Sequence, residues 1–383
     1  MSLESIRPLH FGKLLPPPYA GIEAHVDLLL RALHPTVRGT LLACGSPGDA
    51  IRRAPEFPYR LIVERLHGRL ASAPIAPGML TAARRELLAS GRCNLLHLHA
   101  PNPLGDLAGL VCAGDRPVVL SWHSDIVRQR ALLRLYGPIQ RRIVDRADRI
   151  IVFTPQHYTS SVQLRRPGVD AKLHVVPMGF DLGRLDASHG DPATTARLDR
   201  FADGRPLLLT VGRQIYYKGY EYLLAALARM KSGAMLAMIG TGPLGEALRR
   251  QAAELSVADR VMFMGEVNHA ELVAAYHRCD VFTLPSIEPS EAFGMASAEA
   301  MACGKPTVVC ELGNGVNHLN QDGVTSLTVR ARDPGALAGA IDTLLLDDDL
   351  RRRMGEQARA RVRKQFSMEA MRDSTIALYR DLM

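Results

Sequence analysis

The sequence predicts an α/β protein of two doubly wound, parallel-sheet domains facing each other across a cleft. Three observations carry this expectation. Short apolar, β-branched runs alternate with segments of helical period, the pattern of parallel βαβ units. The alternation weakens over the polar stretch 181–205, which reads as a hinge, and then restarts. The length of 383 residues suits two to three domains at roughly 100–200 residues each.

In the first half, strands are expected over 6–11, 94–99 (NLLHLH), 117–122 (PVVLSW) and 149–153, with one more short strand within 172–181. The proline- and glycine-bearing stretch 12–21 reads as a loop leading into an amphipathic helix over 22–33, and a basic helix from 137 leads into the strand at 149. In the second half the order is strand 206–212, helix 218–230, strand 234–240, helix 242–255, strand 260–265, helix 269–279, strand 280–286, helix 294–304 and strand 306–311. Apolar strands this short, bounded by Gly and Pro, fit sheets covered on both faces. The tail from 334 is helical. Its Asp347-Asp348-Asp349 run sits at a helix start and reads as a cap, followed by bases further in, as the helix dipole prefers. The expected domains are 1–180 and 181–365, with 366–383 a helix crossing back to the first domain.

Composition narrows the functional classes. Six cysteines without a CxxC pair or regular spacing read as small buried hydrophobes in a reducing compartment. No apolar run approaches ~18 residues and no basic-then-apolar leader opens the chain, so a cytoplasmic protein is expected. Residues 1–180 hold 23 Lys and Arg against 13 Asp and Glu; the remainder holds 24 against 26. A basic first half suits an anionic surface such as phospholipid or a lipid diphosphate, or simply a solvated face. The segment 128–149, with seven arginines, is where peripheral contact with the inner membrane is expected. The basic residues are not interleaved with aromatics, which argues against nucleic acid.

The strongest chemical signal is EAFGMASAE over 291–299. It follows the strand 280–286, so Glu291 lies in a loop at a strand's carboxyl end, where open α/β sheets bind ligands. Gly294 permits close backbone approach, and the helix behind it offers unpaired N–H groups to an anion. Arg213 and Lys218, in VGRQIYYKGYE, follow another strand at the same sheet edge; a guanidinium fork and an ammonium together can neutralise a diphosphate. His123 ends the strand 117–122. Gly240-Thr241-Gly242 reads as a strand-to-helix turn. His97 and His99 share one strand face at a spacing a metal could use, but with no third ligand in view they read as packing residues. No acidic metal-binding loop follows a strand, so no metal or other cofactor is expected.

These motifs, in this order, resemble family 4 retaining glycosyltransferases with the two-domain GT-B fold of Rossmann-like halves. EPSEAFGMASAEAMACGKPTVV is similar to the family's Glu-x7-Glu signature, and the likeness extends through TVGRQIYYKGYEYLLAAL, IGTGPLGEALRRQAAEL, VMFMGEV, SWHSDIVRQ and LHFGKLLPPPYAGIEAHVDLL. Within the family the chain looks most like bacterial mannosyl- and rhamnosyltransferases of surface-polysaccharide assembly. The resemblance implies that Glu291 binds donor-sugar hydroxyls and Glu299 the ribose hydroxyls. It implies that Phe293, Gly294 and Met295 use backbone N–H groups on sugar and phosphate, and that Gly240, Gly242 and the stretch around Val267 border the base. Arg213 and Lys218 would take the diphosphate, and His123 would point into the cleft near the donor sugar. The family's Gly-Gly loop reads Ala20-Gly21 here, leaving Gly21 to meet phosphate; Ala20, Gly21, Lys13 and His123 form the expected acceptor side. A saccharide or polyprenyl-diphosphate-linked acceptor is expected, and GDP against UDP stays open. The alternatives are a nucleotide-sugar epimerase or hydrolase of the same fold, and a non-catalytic nucleotide- or membrane-binding module.

Overall fold

The structure, a computed structural model, describes residues 3–15, 21–46, 56–70, 73–89, 92–126 and 130–383, the side chains of 4, 70 and 130–133 excepted. It divides into two compact units, Met1–Phe180 with Phe366–Met383, and Asp181–Gln365.

Unit 1 is built on strands β1 (Pro8–Leu14), β2 (Thr40–Gly45), β3 (Arg60–Arg65), β4 (Gly68–Leu70), β5 (Ala73–Ile75), β6 (Leu95–Ala100), β7 (Val118–Trp122), β8 (Arg149–Val152) and β9 (Leu173–Val175). Seven of them form one sheet, in the order β3-β2-β1-β6-β7-β8-β9, with every pairing parallel; β4 and β5 make a separate antiparallel ribbon. The strands β6 and β7 are buried at every position, including His97, His99 and Ser121, as in a sheet covered on both faces. Leu9, Phe11, Leu96, Leu98, Leu120 and Trp122 pack on one face of the sheet, while Leu95, Val119 and Ile151 pack on the other with Ile376 and Tyr379 of the C-terminal helix Met368–Arg380. That helix is started by Ser367, whose side chain accepts the Ala370 N–H.

Unit 2 contains β10 (Leu207–Val211), β11 (Met235–Ile239), β12 (Val261–Gly265), β13 (Val281–Leu284), β14 (Thr307–Cys310) and β15 (Ser326–Val329), in the order β12-β11-β10-β13-β14-β15, again all parallel. Both sheets reverse direction beside their first strand, between β1 and β6 and between β10 and β13. In open α/β sheets this reversal point, at the strands' carboxyl ends, is where ligands bind.

Several expectations shift. The strand expected over 6–11 runs from Pro8 to Leu14, so Gly12 and Lys13 lie in it rather than in a loop. The stretch 181–205 is not an unstructured hinge. It forms two short 3-10 turns and the helix Pro192–Ala202, and it belongs to unit 2. Its polar residues mislead because they are caps: Asp191 accepts the Thr194 N–H with Pro192 behind it, a helix start. Asp347 likewise accepts the Leu350 N–H, as a cap does. All six cysteines are free and buried. Among the described residues no helix is long and apolar enough to cross a membrane.

Candidate functional site

In unit 2 the loops after β10 and β13 meet at the sheet's reversal point. After β10 the chain turns through Gly212 and Arg213 into a 3-10 turn, Tyr216–Lys218, closed by Gly219. Lys218 therefore precedes the helix Tyr220–Leu227 instead of opening it. After β13 the loop reaches Glu291, and the helix Met295–Ala302 begins behind Gly294 at φ +81°.

The two loops are joined by an ion pair: Lys218 Nζ lies 2.5 Å from Glu291 Oε2, with side-chain exposures of 11% and 12%. At that exposure the pair is little screened by solvent. Ser286 Oγ donates to the same carboxylate oxygen at 3.0 Å, and Asn314 Nδ2 donates to the Glu291 carbonyl at 2.8 Å. Ser286 and Asn314 were not singled out in the sequence, where nothing sets them apart from other loop polars. Arg213, by contrast, is exposed, and its side chain makes no ion pair or hydrogen bond among the described residues, while its carbonyl accepts the Ile215 N–H at 2.9 Å. Phe293 is buried and Met295 exposed. Gly294 caps the helix without a side-chain partner, and its carbonyl takes the Ser297 and Ala298 N–H groups, so the first N–H groups of the helix precede any intrahelical bond.

The Lys218 turn depends on Gly219. Its φ is +66°, and a Cβ there would stand 2.2 Å from the Pro285 carbonyl oxygen and 2.8 Å from Ile287 Cγ2. Gly219→Ala is therefore expected to cost about 2–5 kcal/mol, from left-handed strain and overpacking together. Denaturant unfolding of the full chain measures this, and a loss within ~0.5 kcal/mol, as for a surface change, would show that the turn does not need glycine.

Glu299 lies half-buried in the helix Met295–Ala302, and Tyr276 on the helix His269–Arg278 donates to its Oε2 at 2.7 Å. Burial pushes its carboxyl pKa up, while the Tyr276 hydrogen bond and the charges of His269 and Arg184 pull it back. Oε1 accepts no hydrogen bond among the described residues.

Gly240 and Gly242 have packing roles in the turn after β11. The Gly240 N–H donates to Gly265 O at 2.8 Å and its carbonyl accepts from Gln214 Nε2 at 2.9 Å. A Cβ on Gly242 would stand 2.4 Å from the Gln214 carbonyl. Val267 is half-buried just past β12, beyond Glu266, which accepts from Thr241 Oγ1 at 3.0 Å.

In unit 1, His123 follows β7 and its N–H donates to the Ala100 carbonyl at 2.9 Å. The expectation that His97 and His99 lack a third partner is overturned. Parallel pairing sets His10 of β1 opposite His97 of β6, the helix Gly21–Leu33 brings His25, and β7 brings His123. The contacts are His10 Nδ1 to His99 Nε2 at 3.1 Å, His99 Nδ1 to His123 Nε2 at 3.3 Å, His97 Nε2 to Ser121 Oγ at 2.8 Å, and His97 Nδ1 to the Tyr379 hydroxyl at 2.6 Å. That hydroxyl also lies 3.2 Å from His10 Nε2. His25 packs edge-on against His123, and its buried Nδ1 has no hydrogen-bond partner among the described residues. Burial pushes His10 down to about 3 and His25 to about 4, and holds His97, His99 and His123 well below the usual imidazole range. The five rings are neutral at neutral pH. Sequence spacing could relate His97 to His99 but not to a residue on another strand.

Lys13 is half-buried on β1, where burial lowers its ammonium pKa and Glu23 and Asp106 raise it. Asp106 is fully buried, its carboxyl raised to about 7 by burial, and takes a hydrogen bond from Tyr136. Gly21 is the exposed first residue of its helix, and a Cβ there would meet nothing within 4 Å; Ala20 lies outside the described residues. So do residues 128 and 129 of the basic segment. Farther along it, Arg141 and Arg142 are exposed, whereas Arg146 is committed to Asp148 and to the Gly114 and Arg116 carbonyls.

The chain is similar to known proteins over most of its length. The model for "Glycosyl transferases group 1" matches residues 196–361, and that for "Glycosyltransferase Family 4" matches residues 19–184. O-antigen chain mannosyltransferase C of Escherichia coli is 30% identical over 325 residues, covering 85% of this chain and 84% of that protein. D-rhamnosyltransferase WbpZ of Pseudomonas aeruginosa is 33% identical over 349 residues, covering 91% and 84%. Among solved structures, Anabaena Alr3699/HepE in complex with UDP superposes with a TM-score of 0.79 at 18% identity, covering 98% of this chain and all of that one. At that identity the likeness speaks for the fold.

Proposed function

The chain belongs to the family 4 glycosyltransferases and has their GT-B fold, and we propose that it is a retaining, metal-independent hexosyltransferase of surface-polysaccharide assembly. The donor in this reading is a nucleotide diphosphate sugar carrying mannose or a rhamnose-like hexose, and the acceptor a saccharide or lipid-linked saccharide. One observation carries the donor assignment: the Lys218–Glu291 pair at the reversal point of the unit 2 sheet. The names of the two relatives, a mannosyl- and a rhamnosyltransferase, support the sugar class, and the UDP held by the Anabaena protein supports a nucleotide donor.

In this mechanism Arg213 and Lys218 neutralise the leaving diphosphate, the task a metal would otherwise perform. Glu291 binds the donor sugar's hydroxyls, Glu299 accepts the ribose hydroxyls through Oε1, and the backbone of Phe293, Gly294 and Met295 meets sugar and phosphate. Gly240, Gly242 and Val267 shape the base end. His123, Lys13 and Gly21 serve the acceptor side. The sugar–phosphate bond breaks toward an oxocarbenium-like state, the acceptor oxygen bonds the anomeric carbon on the same face, and the departing phosphate oxygen takes its proton.

A panel of GDP- and UDP-sugars in thermal-shift measurements tests the donor, since a ligand at 100 times its Kd stabilises by about 2.7 kcal/mol. One nucleotide series is expected to raise Tm. No shift with any of them would remove the donor assignment. Transfer is expected to persist in EDTA; loss restored by Mg2+ or Mn2+ would overturn metal independence. Peripheral membrane contact through the basic face of unit 1 predicts flotation with anionic but not neutral liposomes, and equal flotation would discard it.

A further inference from the structure

We propose that Tyr379, on the C-terminal helix, sets the tautomer of His123 through a line of buried neutral imidazoles, leaving His123 Nδ1 bare as a hydrogen-bond acceptor at the carboxyl end of β7. The line runs Ser121–His97–Tyr379–His10–His99–His123, and every link is a hydrogen-bond contact. Its direction follows from two distances and a proton count. An O–H donor typically sits about 2.7–2.8 Å from its acceptor and an N–H donor about 2.9–3.0 Å. The Tyr379 hydroxyl lies 2.6 Å from His97 Nδ1 and 3.2 Å from His10 Nε2. Its single proton therefore goes to His97, and it accepts N–H from His10 Nε2.

A neutral imidazole has one N–H and one lone pair, so the rest is forced. His10 Nδ1 is bare and takes the His99 Nε2–H. His99 Nδ1 is bare and takes the His123 Nε2–H, and the outward nitrogen of His123 is left with a lone pair. On the other branch His97 donates Nε2–H to Ser121 Oγ. Each of the five contacts then carries one proton, and the Ser121 hydroxyl proton lies beyond the line. Reversing any link between Tyr379 and His123 reverses them all, and would place the phenol's proton on the longer of its two contacts.

The line fixes polarity and does not conduct. A proton entering at His123 Nδ1 would have to emerge beyond Ser121, which is 1% exposed. The rings stay neutral because His10, His97 and His99 are fully buried, while His123, half-buried at the end of the line, is held down first by burial and then by its neighbours His25, His157 and Lys13. His25 stands outside the line, its Nδ1 unpartnered among the described residues. A bare Nδ1 accepts from a hydroxyl and meets an anionic oxygen lone pair to lone pair. His123 so oriented selects a hydroxyl-bearing substrate over a free anion, a consequence that rests on the glycosyltransferase reading. Tyr379 is thus a positioning residue, 282 positions along the chain from the His97 it contacts.

The test is a long-range 1H–15N correlation of the histidine rings in the 15N-labelled full-length protein at neutral pH, with rings assigned by single His→Gln variants. His10, His97, His99 and His123 are expected as Nε2–H tautomers. In Tyr379→Phe, His10 Nε2–H loses its acceptor. A buried N–H without a partner is costlier than a buried lone pair, so His10, His99 and His123 are expected to move together toward Nδ1–H while Tm changes little. An Nδ1–H His123 in the parent protein, or a His123 unmoved in Tyr379→Phe, overturns the proposal. Stoichiometric zinc in the purified protein would overturn it as well. The ligand atoms of His25, His99 and His123 lie within 4.8 Å of one another, and metal-bound nitrogens cannot form the line. These readouts need no turnover, so their failure is distinct from failure of the glycosyltransferase reading. In the transfer assay Tyr379→Phe is expected to raise KM for the hydroxyl-bearing substrate by roughly 3- to 10-fold, the worth of one hydrogen bond; an unchanged KM alongside a changed tautomer would remove the hydroxyl contact.

Discussion

Lowering the pH from 6.5 to 4.5 is expected to unfold unit 1 while unit 2 persists. His10, His25, His97 and His99 are buried and neutral in the folded chain, with pKa values pushed down by burial, whereas in the unfolded chain each titrates near 6.5. Below that value the unfolded state binds protons that the folded state refuses. The stability these groups contribute is thus fully present above about pH 6.5 and lost as the pH falls toward the folded values, about 4 for His25 and about 3 for His10. Each group can remove up to about 1.4 kcal/mol per pH unit, so four together approach about 5 kcal/mol per unit. Over two units that reaches the roughly 5–15 kcal/mol stability of a typical domain. Asp106 works the other way: its carboxyl, raised to about 7, holds a proton that the unfolded chain releases, so it gains stability on acidification. One group opposes four, and the net slope keeps its sign. In unit 2 only His318 among the described histidines is held down by burial, and it is half-buried. The single tryptophan, Trp122, is fully buried in unit 1 beside His123, so its emission reports this unit alone. A red shift centred between pH 6.5 and 4.5 is expected, and constant emission down to pH 4 would show that the imidazoles are not buried as described.

Glu291→Gln is expected to leave the fold intact and lower transfer by about 10²–10³-fold, the size of effect seen when a preorganised charge or hydrogen-bond partner is removed from a reacting centre. Glutamine keeps the shape and can still accept from Ser286 and Lys218, but it carries no charge. Lys218→Ala removes the other half. It leaves a carboxylate of 12% exposure with Ser286 as its side-chain donor, and stripping one partner from a buried pair costs up to about 3–5 kcal/mol. Both Tm and transfer should therefore fall. Arg213→Ala completes the set: its side chain is exposed and has no partner among the described residues, so Tm should hold while donor affinity drops. Near-parental transfer in Glu291→Gln, measured with saturating donor, would remove Glu291 from the site, and a stable but inactive Lys218→Ala would mean that the pair contributes little to folding.

Much of unit 2 was legible in the sequence because its signals are local. Strand 280–286, a loop and a helix starting near Gly294 lie within a few residues of one another, and short-range patterns such as the apolar run before Glu291 report them directly. The hinge over 181–205 was misread for a related reason: a capping Asp followed by Pro resembles loop composition until the helix behind it is seen. Among the strands of unit 1, β2, β3, β4 and β5 were absent from the expectations, β2 and β3 being those of the main sheet. Their pairing partners are supplied by other parts of the chain, and β3 is only partly buried, so its pattern is weak.

The sequence by itself determined the α/β class, the two-part organisation and the residue types at the unit 2 loops, since each follows from hydrophobic period, punctuation by Gly and Pro, and motif order within short windows. It also identified His97, His99 and His123. Only the tertiary structure decided what these residues do to one another. Lys218 and Glu291 neutralise each other because β10 and β13 are neighbours in a sheet although 73 residues separate the pair. His97 and His99, read alone as packing residues, join His10, His123 and Tyr379 because parallel register and a returning C-terminal helix bring together groups that spacing along the chain cannot relate. Hydrogen-bond polarity, like burial, belongs to the assembled set of partners, and no single segment of the chain contains it.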